Sequence, residues 1–308
     1  MLQGGSCDTS FVNIIDFLTA PAPDALFKAL IEPVPDCLPV QGGEGTADIL
    51  RLDRLHPQIS GNKAFKLLGY LRQWQSSGHR ALLSFGGVWS NHLYALSALG
   101  QRLNVPVIAM VRGYADQPDT DTLRDCRAMG AQLQFCDRVT YARRGDSEWC
   151  QQLFVEYDAL VIPEGGDGVP GEWGFRFLAS MLAAYDQIWL AAGTGTTARG
   201  IAAVMPVSTT LTAINAVADQ GALKRRLNPG DDRIRVLDTY HYGRFGRCPP
   251  ELRDLIARYD AAGLPLDPVY TAKLMAAWEQ EKPSGRVLLI HTGGLQGRRG
   301  YGLSYPVY

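Results

Sequence analysis

The chain has 308 residues, 46% of them apolar, which is enough for about two domains with buried cores. Thirty Lys and Arg residues against 31 Asp and Glu residues give a net charge of −1, which excludes recruitment of nucleic acid or an anionic membrane by bulk charge. The six cysteines form no C-x-x-C pair, the histidines are not spaced as metal ligands, and no run of 18 apolar residues occurs, so we expect a cytoplasmic protein without disulfide framework, metal or membrane span.

Short apolar runs bounded by turn residues alternate with segments of helical period along most of the chain. The runs predicted to be strands begin at Ala81, Val105, Ala131, Ala159, Gln187, Leu211, Ile234 and Val287. Because these runs are apolar on both faces, they favour parallel strands covered by helices and joined by right-handed crossovers. The predicted fold class is therefore α/β. The first forty residues are predicted to form an irregular arm around one short helix.

The first chemically informative segment is SGNKAFKL, residues 60–67. A helix that starts near Gly61 turns Leu67 and Leu68 inward and places Lys63 in its first turn. The positive end of the helix dipole disfavours a cation there, and the same field lowers the pKa of an amine and makes it a better nucleophile. From this segment alone, Lys63 is either such a nucleophile or a solvated surface lysine.

Three glycine-containing turns follow predicted strands. They are GGVWSNHLYALSALG at 86–100, AGTGTTARG at 192–200 and TGGLQG at 292–297. Ligands of parallel α/β sheets bind at the carboxyl ends of the strands, so we expect the three turns to surround one ligand. The second turn is the strongest anion-binding signal, because glycines let backbone N–H groups approach a phosphate. It also satisfies the G-x-G-x-x-A pattern of dinucleotide enzymes, with Asp219 as the ribose-binding acid, and it fits a tight turn that only requires glycine.

Six motifs together resemble the 1-aminocyclopropane-1-carboxylate (ACC) deaminase and D-cysteine desulfhydrase family. They are SGNKAFKL, GGVWSNHLYALSALG, IPEGGDGVPGEWGF, AAGTGTTARG, LDPVYTAKLM and IHTGG, in the family's order, within a match from about residue 51 to residue 292. The resemblance implies pyridoxal 5′-phosphate (PLP) as cofactor and the tryptophan synthase β-like fold, fold type II, with two open, twisted parallel-sheet domains. It implies a large PLP-binding domain of residues 1–65 and 165–308, a small domain of residues 66–164, PLP in the cleft, and a homodimer.

The resemblance also implies roles for individual residues. Lys63 matches the lysine that carries the cofactor, Asn91 the asparagine at its phenolic oxygen, and Ser90 the serine that faces the substrate. The other implied site residues are Thr194, Gly195, Thr196 and Thr197 in the phosphate loop, Tyr240 and Tyr270 as two active-site tyrosines, and Thr292 near the pyridine nitrogen. A nicotinamide enzyme gives no joint role to Lys63, Asn91 and Thr292, so we favour PLP over a dinucleotide.

Two positions favour the D-cysteine desulfhydrase branch. Deaminases of the family carry Glu and Leu where this chain has Thr271 and Thr292. With no carboxylate at the pyridine nitrogen, the cofactor would be a weaker electron sink, which suits β-elimination. The predicted reaction is the conversion of D-cysteine to pyruvate, sulfide and ammonia. The alternatives are an ACC deaminase that forms 2-oxobutyrate and a PLP-binding protein without turnover.

The implied elimination divides the chemistry among few residues. Lys63 removes the Cα proton, Ser90 holds the substrate carboxylate, and Tyr270 or Tyr240 protonates the leaving group, for which a lowered phenol pKa is expected. Trp89 and Phe245 differ from the family pattern near the substrate pocket and leave the exact amino acid open.

Overall fold

The computed structural model describes residues 24–35, 46–227 and 230–305. The helices are α1 Asp24–Ala29, α2 Asn62–Ser77, α3 Asn91–Leu103, α4 Asp121–Ala128, α5 Arg138–Ala142, α6 Ser147–Tyr157, α7 Val169–Trp173, α8 Ala179–Leu182, α9 Thr196–Ala202, α10 Ala222–Leu227, α11 Pro250–Ala261 and α12 Thr271–Glu281. The strands are β1 Ile31–Pro33, β2 Thr46–Arg51, β3 Ala81–Gly87, β4 Val107–Arg112, β5 Gln132–Cys136, β6 Ala159–Ile162, β7 Gln187–Ala192, β8 Thr210–Asn215, β9 Ile234–Leu237 and β10 Arg286–His291. The 3-10 turns are Leu52–Arg54, Arg143–Gly145, Glu164–Gly166, Gly174–Leu178 and Leu295–Tyr301.

The strands form two open sheets. The larger has the order β1-β2-β10-β7-β8-β9 and the smaller the order β5-β4-β3-β6. Every strand pair is parallel except β1 with β2. The predicted α/β class is therefore confirmed, and each of the predicted strands is present. The four strands of the smaller sheet all lie inside the range 66–164, whereas the exact domain boundaries stay a prediction.

Two strands were not predicted, and their pairing explains why. β1 has only three residues, and β2, with the sequence TADILR, carries a short apolar stretch. β2 is fixed by parallel pairing with β10 far along the chain, where Leu289 lies opposite Ile49. No local pattern reveals such a contact. The rest of the predicted N-terminal arm, residues 1–23 and 36–45 with Cys7 and Cys37, lies outside the described residues.

Helix α2 joins the two sheets through one continuous apolar core. Its buried residues include Phe65 and Leu68, and they share a cluster with Leu82 of the smaller sheet and Leu190 of the larger one. The Phe65 ring stacks on Phe175 with 5.3 Å between ring centroids. The position of the first turn of α2 relative to both sheets is thus set by core packing.

A glycine in α2 gives a test of this packing. A Cβ added at Gly69 would overlap the carbonyl oxygen of Pro170 at the start of α7. Alanine in place of glycine normally stabilises a helix by about 1 kcal/mol, but overpacking costs roughly 1–3 kcal/mol. We expect Gly69→Ala to lower the free energy of unfolding, measured by urea denaturation. Gly145→Ala, where a Cβ meets nothing within 4 Å, is the matched control. A Gly69→Ala protein as stable as the parent would contradict this packing.

Candidate active site

The carboxyl ends of strands from both sheets open on one cavity of about 770 Å³. All predicted site residues except Tyr240 and Thr196 line it, namely Lys63, Ser90, Asn91, Thr194, Gly195, Thr197, Tyr270 and Thr292. The three turns after β3, β7 and β10 therefore surround a common space, as the sequence predicts. Within the described ranges, no cluster of three or more His, Cys, Asp or Glu side chains is suited to a metal ion. None of the helices in these ranges has the length and hydrophobicity of a membrane span.

The start of α2 is held against the end of β10 by a close backbone contact. Gly61 has a φ of 68°, and a Cβ there would overlap the carbonyl oxygen of Thr292. The same carbonyl accepts a hydrogen bond of 3.1 Å from the backbone N–H of Asn62. Only glycine fits this position, because it has no Cβ and tolerates the left-handed region. The contact places Lys63, the next residue, in the cavity.

Lys63 is connected to the glycine- and threonine-rich loop through one side chain. Its Nζ donates to Oδ1 of Asn62 over 2.9 Å, and Nδ2 of Asn62 donates to Oγ1 of Thr197, also over 2.9 Å. Burial lowers the pKa of Lys63 to about 8, although the nearby Asp267 carboxylate acts in the opposite direction. The lowered pKa agrees with the expectation from sequence, but its main cause is burial and not the helix dipole.

The loop after β7 has its hydroxyl groups in two environments. Gly195, with a φ of 87°, precedes α9. The Thr194 and Thr196 hydroxyls lie 2.9 Å apart, and the Thr196 hydroxyl donates to Asp167. Thr196 is fully buried and does not line the cavity. Its side chain therefore does not take the position in the phosphate loop that the resemblance implies. Thr194 and Thr197 keep the lining positions.

Sequence reasoning missed two basic residues beside this loop. Lys66 is buried, lines the cavity and donates from Nζ to the carbonyl oxygen of Gly165 over 3.0 Å. Burial and the neighbouring Lys63 hold the pKa of Lys66 well below its usual range. Arg226, at the cavity wall, donates to the Thr194 carbonyl oxygen over 3.4 Å. Lys66 lies one helical turn after Lys63, and that spacing was the available signal.

Asp219, the candidate ribose-binding acid, has a structural role. It lines the cavity, but Oδ2 accepts the backbone N–H of Leu223 over 2.7 Å in the first turn of α10. Its other oxygen accepts from Nδ2 of Asn215 over 2.9 Å. Both carboxylate oxygens are thus engaged within the protein, which weakens the dinucleotide interpretation.

The turn after β3 presents Ser90 and Asn91 at the start of α3. The Ser90 hydroxyl caps the helix by accepting the backbone N–H of Leu93 over 3.2 Å. Oδ1 of Asn91 accepts from Nε2 of Gln296 over 2.7 Å, which fixes the amide against the last turn of the chain. A side chain at Gly294 would overlap the Asn91 amide. The amide is therefore held rigidly at the cavity wall.

His92, the residue after Asn91, is buried and also lines the cavity. Its Nε2 lies 2.9 Å from the Ser84 hydroxyl, which itself donates to the Ile162 carbonyl oxygen over 2.7 Å, so His92 is the donor in this pair. Nδ1 has no partner among the described residues. Burial and the charges of Lys63 and Lys66 hold the pKa of His92 well below its usual range. The His92 imidazole is therefore neutral and is held by the Ser84 hydroxyl.

A carboxylate that sequence reasoning missed also lines the cavity. Asp267 is buried, and its side chain accepts backbone N–H groups of Val269, Tyr270 and Thr271 at 2.8–3.2 Å, which caps α12. Burial raises the pKa of Asp267. An Asp just before a helical pattern was the available signal. Thr271 does not line the cavity; its hydroxyl accepts the backbone N–H of Asp267 over 2.7 Å. Asp267 is thus a carboxylate in the cavity wall, and the expectation that none serves the pyridine nitrogen stays a prediction.

The two predicted tyrosines lie in different places. Tyr270 packs against the loop after β7, where a Cβ at Gly193 would lie 3.2 Å from its hydroxyl. Tyr240 is buried in the core beneath the larger sheet, and its hydroxyl donates to Glu281 over 3.0 Å. Burial raises the pKa of Tyr240 to about 12 and moves that of Tyr270 above its usual range. Burial, reinforced by Glu281 at Tyr240 and by Asp267 at Tyr270, outweighs any lowering, so the expected lowering of their pKa does not occur.

Comparisons with known proteins confirm the predicted fold and the family resemblance. Proteins of Pyrococcus horikoshii and Thermotoga maritima, each named "Putative 1-aminocyclopropane-1-carboxylate deaminase", are 26% and 28% identical over 274 and 266 residues. These matches cover 79% and 77% of this chain and 83% and 85% of the relatives. No family model matches the chain.

Solved structures share the fold at lower identity. A structure described as an ACC deaminase homologue has a TM-score of 0.73 at 24% identity and covers 88% of this chain and 91% of its own. A PLP-dependent aspartate racemase has a TM-score of 0.58 at 14% identity, covering 86% and 89%. The chain thus has the fold of fold-type II PLP enzymes.

The lowered pKa of Lys63 predicts unusual amine reactivity. Because the neutral amine is the nucleophile, its fraction rises as pH increases through about 8, the pKa of Lys63. We expect modification of Lys63 by an amine-reactive reagent, followed by peptide mass spectrometry, to be half-maximal near that pH. Free Nα-acetyl-lysine, with the ordinary lysine pKa of about 10.4, serves as the reference. Equal pH profiles for the two lysines would contradict the lowered pKa.

Proposed function

We propose that this protein is a PLP-dependent lyase that removes the β-substituent of a small D-amino acid, with D-cysteine as substrate and pyruvate, sulfide and ammonia as products. The observation that carries the proposal is one cavity that holds Lys63, whose pKa is about 8, together with the Thr194–Thr197 loop. The similarity to proteins named as ACC deaminases and the fold shared with a PLP-dependent racemase support it.

The residues of the cavity fit PLP. The Thr194 and Thr197 hydroxyls and the glycine backbone between them suit a phosphate, and the Arg226 guanidinium adds positive charge nearby. The amine of Lys63 suits the cofactor aldehyde, and the amide of Asn91 suits its phenolic oxygen. Because Tyr270 packs against Gly193, the loop has little room for a side chain at that position. PLP, when bound, supplies the electron sink for charge at the substrate Cα.

The protein's own residues supply binding and proton transfer. Near pH 8 about half of the Lys63 side chains are neutral, so the Nζ atom can accept the Cα proton of a bound amino acid. A positioned general base contributes roughly 10²–10⁴-fold to the rate. The amino end of α3, capped by Ser90, offers partial positive charge to the substrate carboxylate. Tyr270 keeps its proton because its pKa is raised, so it orients ligands as a hydrogen-bond donor.

The choice of substrate within the family rests on fewer observations. Thr292 lines the cavity where deaminases of the family carry Leu, which favours D-cysteine. Asp267 lines it too, which removes part of the argument from a missing carboxylate, and the relatives' names favour ACC as the alternative substrate. A homodimer, a cytoplasmic location and the predicted domain limits belong to the same proposal.

The direct test is turnover. We expect the purified holoenzyme to release sulfide and pyruvate from D-cysteine, and Lys63→Ala to release neither, because the general base and the point of cofactor attachment are lost. Borohydride should fix the cofactor to the peptide that contains Lys63 in the parent protein. L-cysteine, β-chloro-D-alanine and ACC are the comparison substrates. Release of 2-oxobutyrate from ACC alone would replace the desulfhydrase proposal by a deaminase, and a silent holoenzyme would favour a PLP-binding protein without turnover.

The two tyrosines give a paired test of the site. Tyr240→Phe should change kcat/KM by less than about threefold, because its hydroxyl contacts Glu281 outside the cavity. It should cost only about 1 kcal/mol of stability, the usual value of one hydrogen bond. Tyr270→Phe should lower kcat/KM about tenfold or more, because it removes a cavity hydroxyl. A larger kinetic loss in Tyr240→Phe than in Tyr270→Phe would contradict the placement of these residues.

A further inference from the structure

Arg112 is a cavity residue to which the proposed function assigns no task. It is the last residue of β4 and lies opposite Gly87 at the end of β3, beside the turn that leads to Ser90. It lines the same cavity as Lys63. Arg112 is exposed and belongs to the smaller sheet, whereas the Thr194–Thr197 loop follows β7 of the larger sheet on the other side of the cavity.

The guanidinium of Arg112 lacks a carboxylate partner within residues 24–35, 46–227 and 230–305, where it makes no side-chain hydrogen bond or ion pair. Its one aromatic contact is with the Tyr141 ring, 5.8 Å from the ring centroid. Glu164, an acid that lines the same cavity, is already engaged, because it accepts from Nε of Arg144 over 2.5 Å and from the Tyr141 hydroxyl over 2.8 Å. The charge of Arg144 is thus balanced by Glu164, whereas the charge of Arg112 has no carboxylate partner among the described residues.

The substrate carboxylate has another binding position, so Arg112 is free for a different group. Ser90 and the amino end of the 13-residue helix α3 lie on the same wall. The phenol of Tyr270 keeps its proton, and Tyr240 is outside the cavity. A β-substituent that leaves with the electron pair of its bond to Cβ therefore departs as an anion, and a guanidinium is suited to receive it.

We propose, on the basis of the function proposed above, that Arg112 binds the side chain of the substrate and that the site selects amino acids whose β-substituent carries negative charge, the thiolate of cysteine included. Arg112 is then a residue that determines specificity. Arg144 supports it indirectly, because it occupies Glu164, which would otherwise be the ion-pair partner of Arg112.

D-aspartate and D-asparagine form a matched pair of probes, because they differ in side-chain charge at nearly equal size. Dissociation constants are measured from the change in the visible absorption of the bound cofactor. We expect the holoenzyme to bind D-aspartate about tenfold or more tightly than D-asparagine, the usual range for a charge-assisted hydrogen bond. Arg112→Gln should bring the two constants to within about threefold, and Arg112→Lys should retain part of the preference. Arg138→Gln, at an exposed position outside the cavity, should behave as the parent.

Each other outcome overturns the inference in a recognisable way. Equal affinity of the parent for both probes shows that the site does not select charge. An equal loss for both probes in Arg112→Gln places the substrate's α-carboxylate on Arg112, and an undiminished preference places the selectivity on another cation. A holoenzyme whose spectrum responds to no amino acid refutes both the inference and the lyase proposal but leaves cofactor binding intact. A protein that binds no PLP refutes the proposed function itself. Melting temperatures of the variants exclude misfolding as the cause.

Discussion

The contact between Gly61 and the carbonyl oxygen of Thr292 is the constraint on which the candidate site depends. Strand β10 lies in the middle of the larger sheet, and α2 is packed between both sheets, so their relative position is fixed by the core. The backbone contact, which tolerates no side chain at Gly61, attaches the first turn of α2 to the end of β10. Asn62 then makes one backbone bond and two side-chain bonds, and the second of these holds Nζ of Lys63.

The electrostatics of the cavity follow from how its acids are used. Asp267 and Asp219 cap helices with their carboxylates, and Glu164 is held by Arg144. Carboxylates satisfied in this way give little compensation to the basic residues around them. Burial then lowers the pKa of both Lys63 and Lys66. The same acids that stabilise the fold thereby leave the cavity with amines of lowered pKa, while arginines such as Arg112 and Arg226 supply its positive charge.

The sequence predicts the repeating architecture well, because strands buried on both faces leave a strong apolar signal, and all strands predicted from that signal are present. It does not predict β1 and β2, whose pairing depends on β10. For the site, glycine-rich turns at strand ends and the family motifs bring most of the predicted residues to one cavity. Tyr240 and Thr196 do not line the cavity, because a motif gives the position of a residue along the chain but not the direction of its side chain. Asp267 and Lys66 were not predicted as cavity residues, because an Asp before a helix and a second lysine in a helix are both common in sequences.

The distribution of acids and bases narrows the chemistry that the cavity can support. The described residues supply an amine that titrates near pH 8, a neutral imidazole behind it, and phenols whose pKa values are raised. The Lys63 amine can take a proton from carbon, but the phenols, whose pKa values are raised, have little capacity to give one to a departing group. A β-substituent that is stable as an anion needs no such donor, whereas a poor leaving group does. Under the proposed function, the Arg112 guanidinium and the high phenol pKa values therefore act in the same direction, and both favour elimination of an anion over reactions that need a strong general acid.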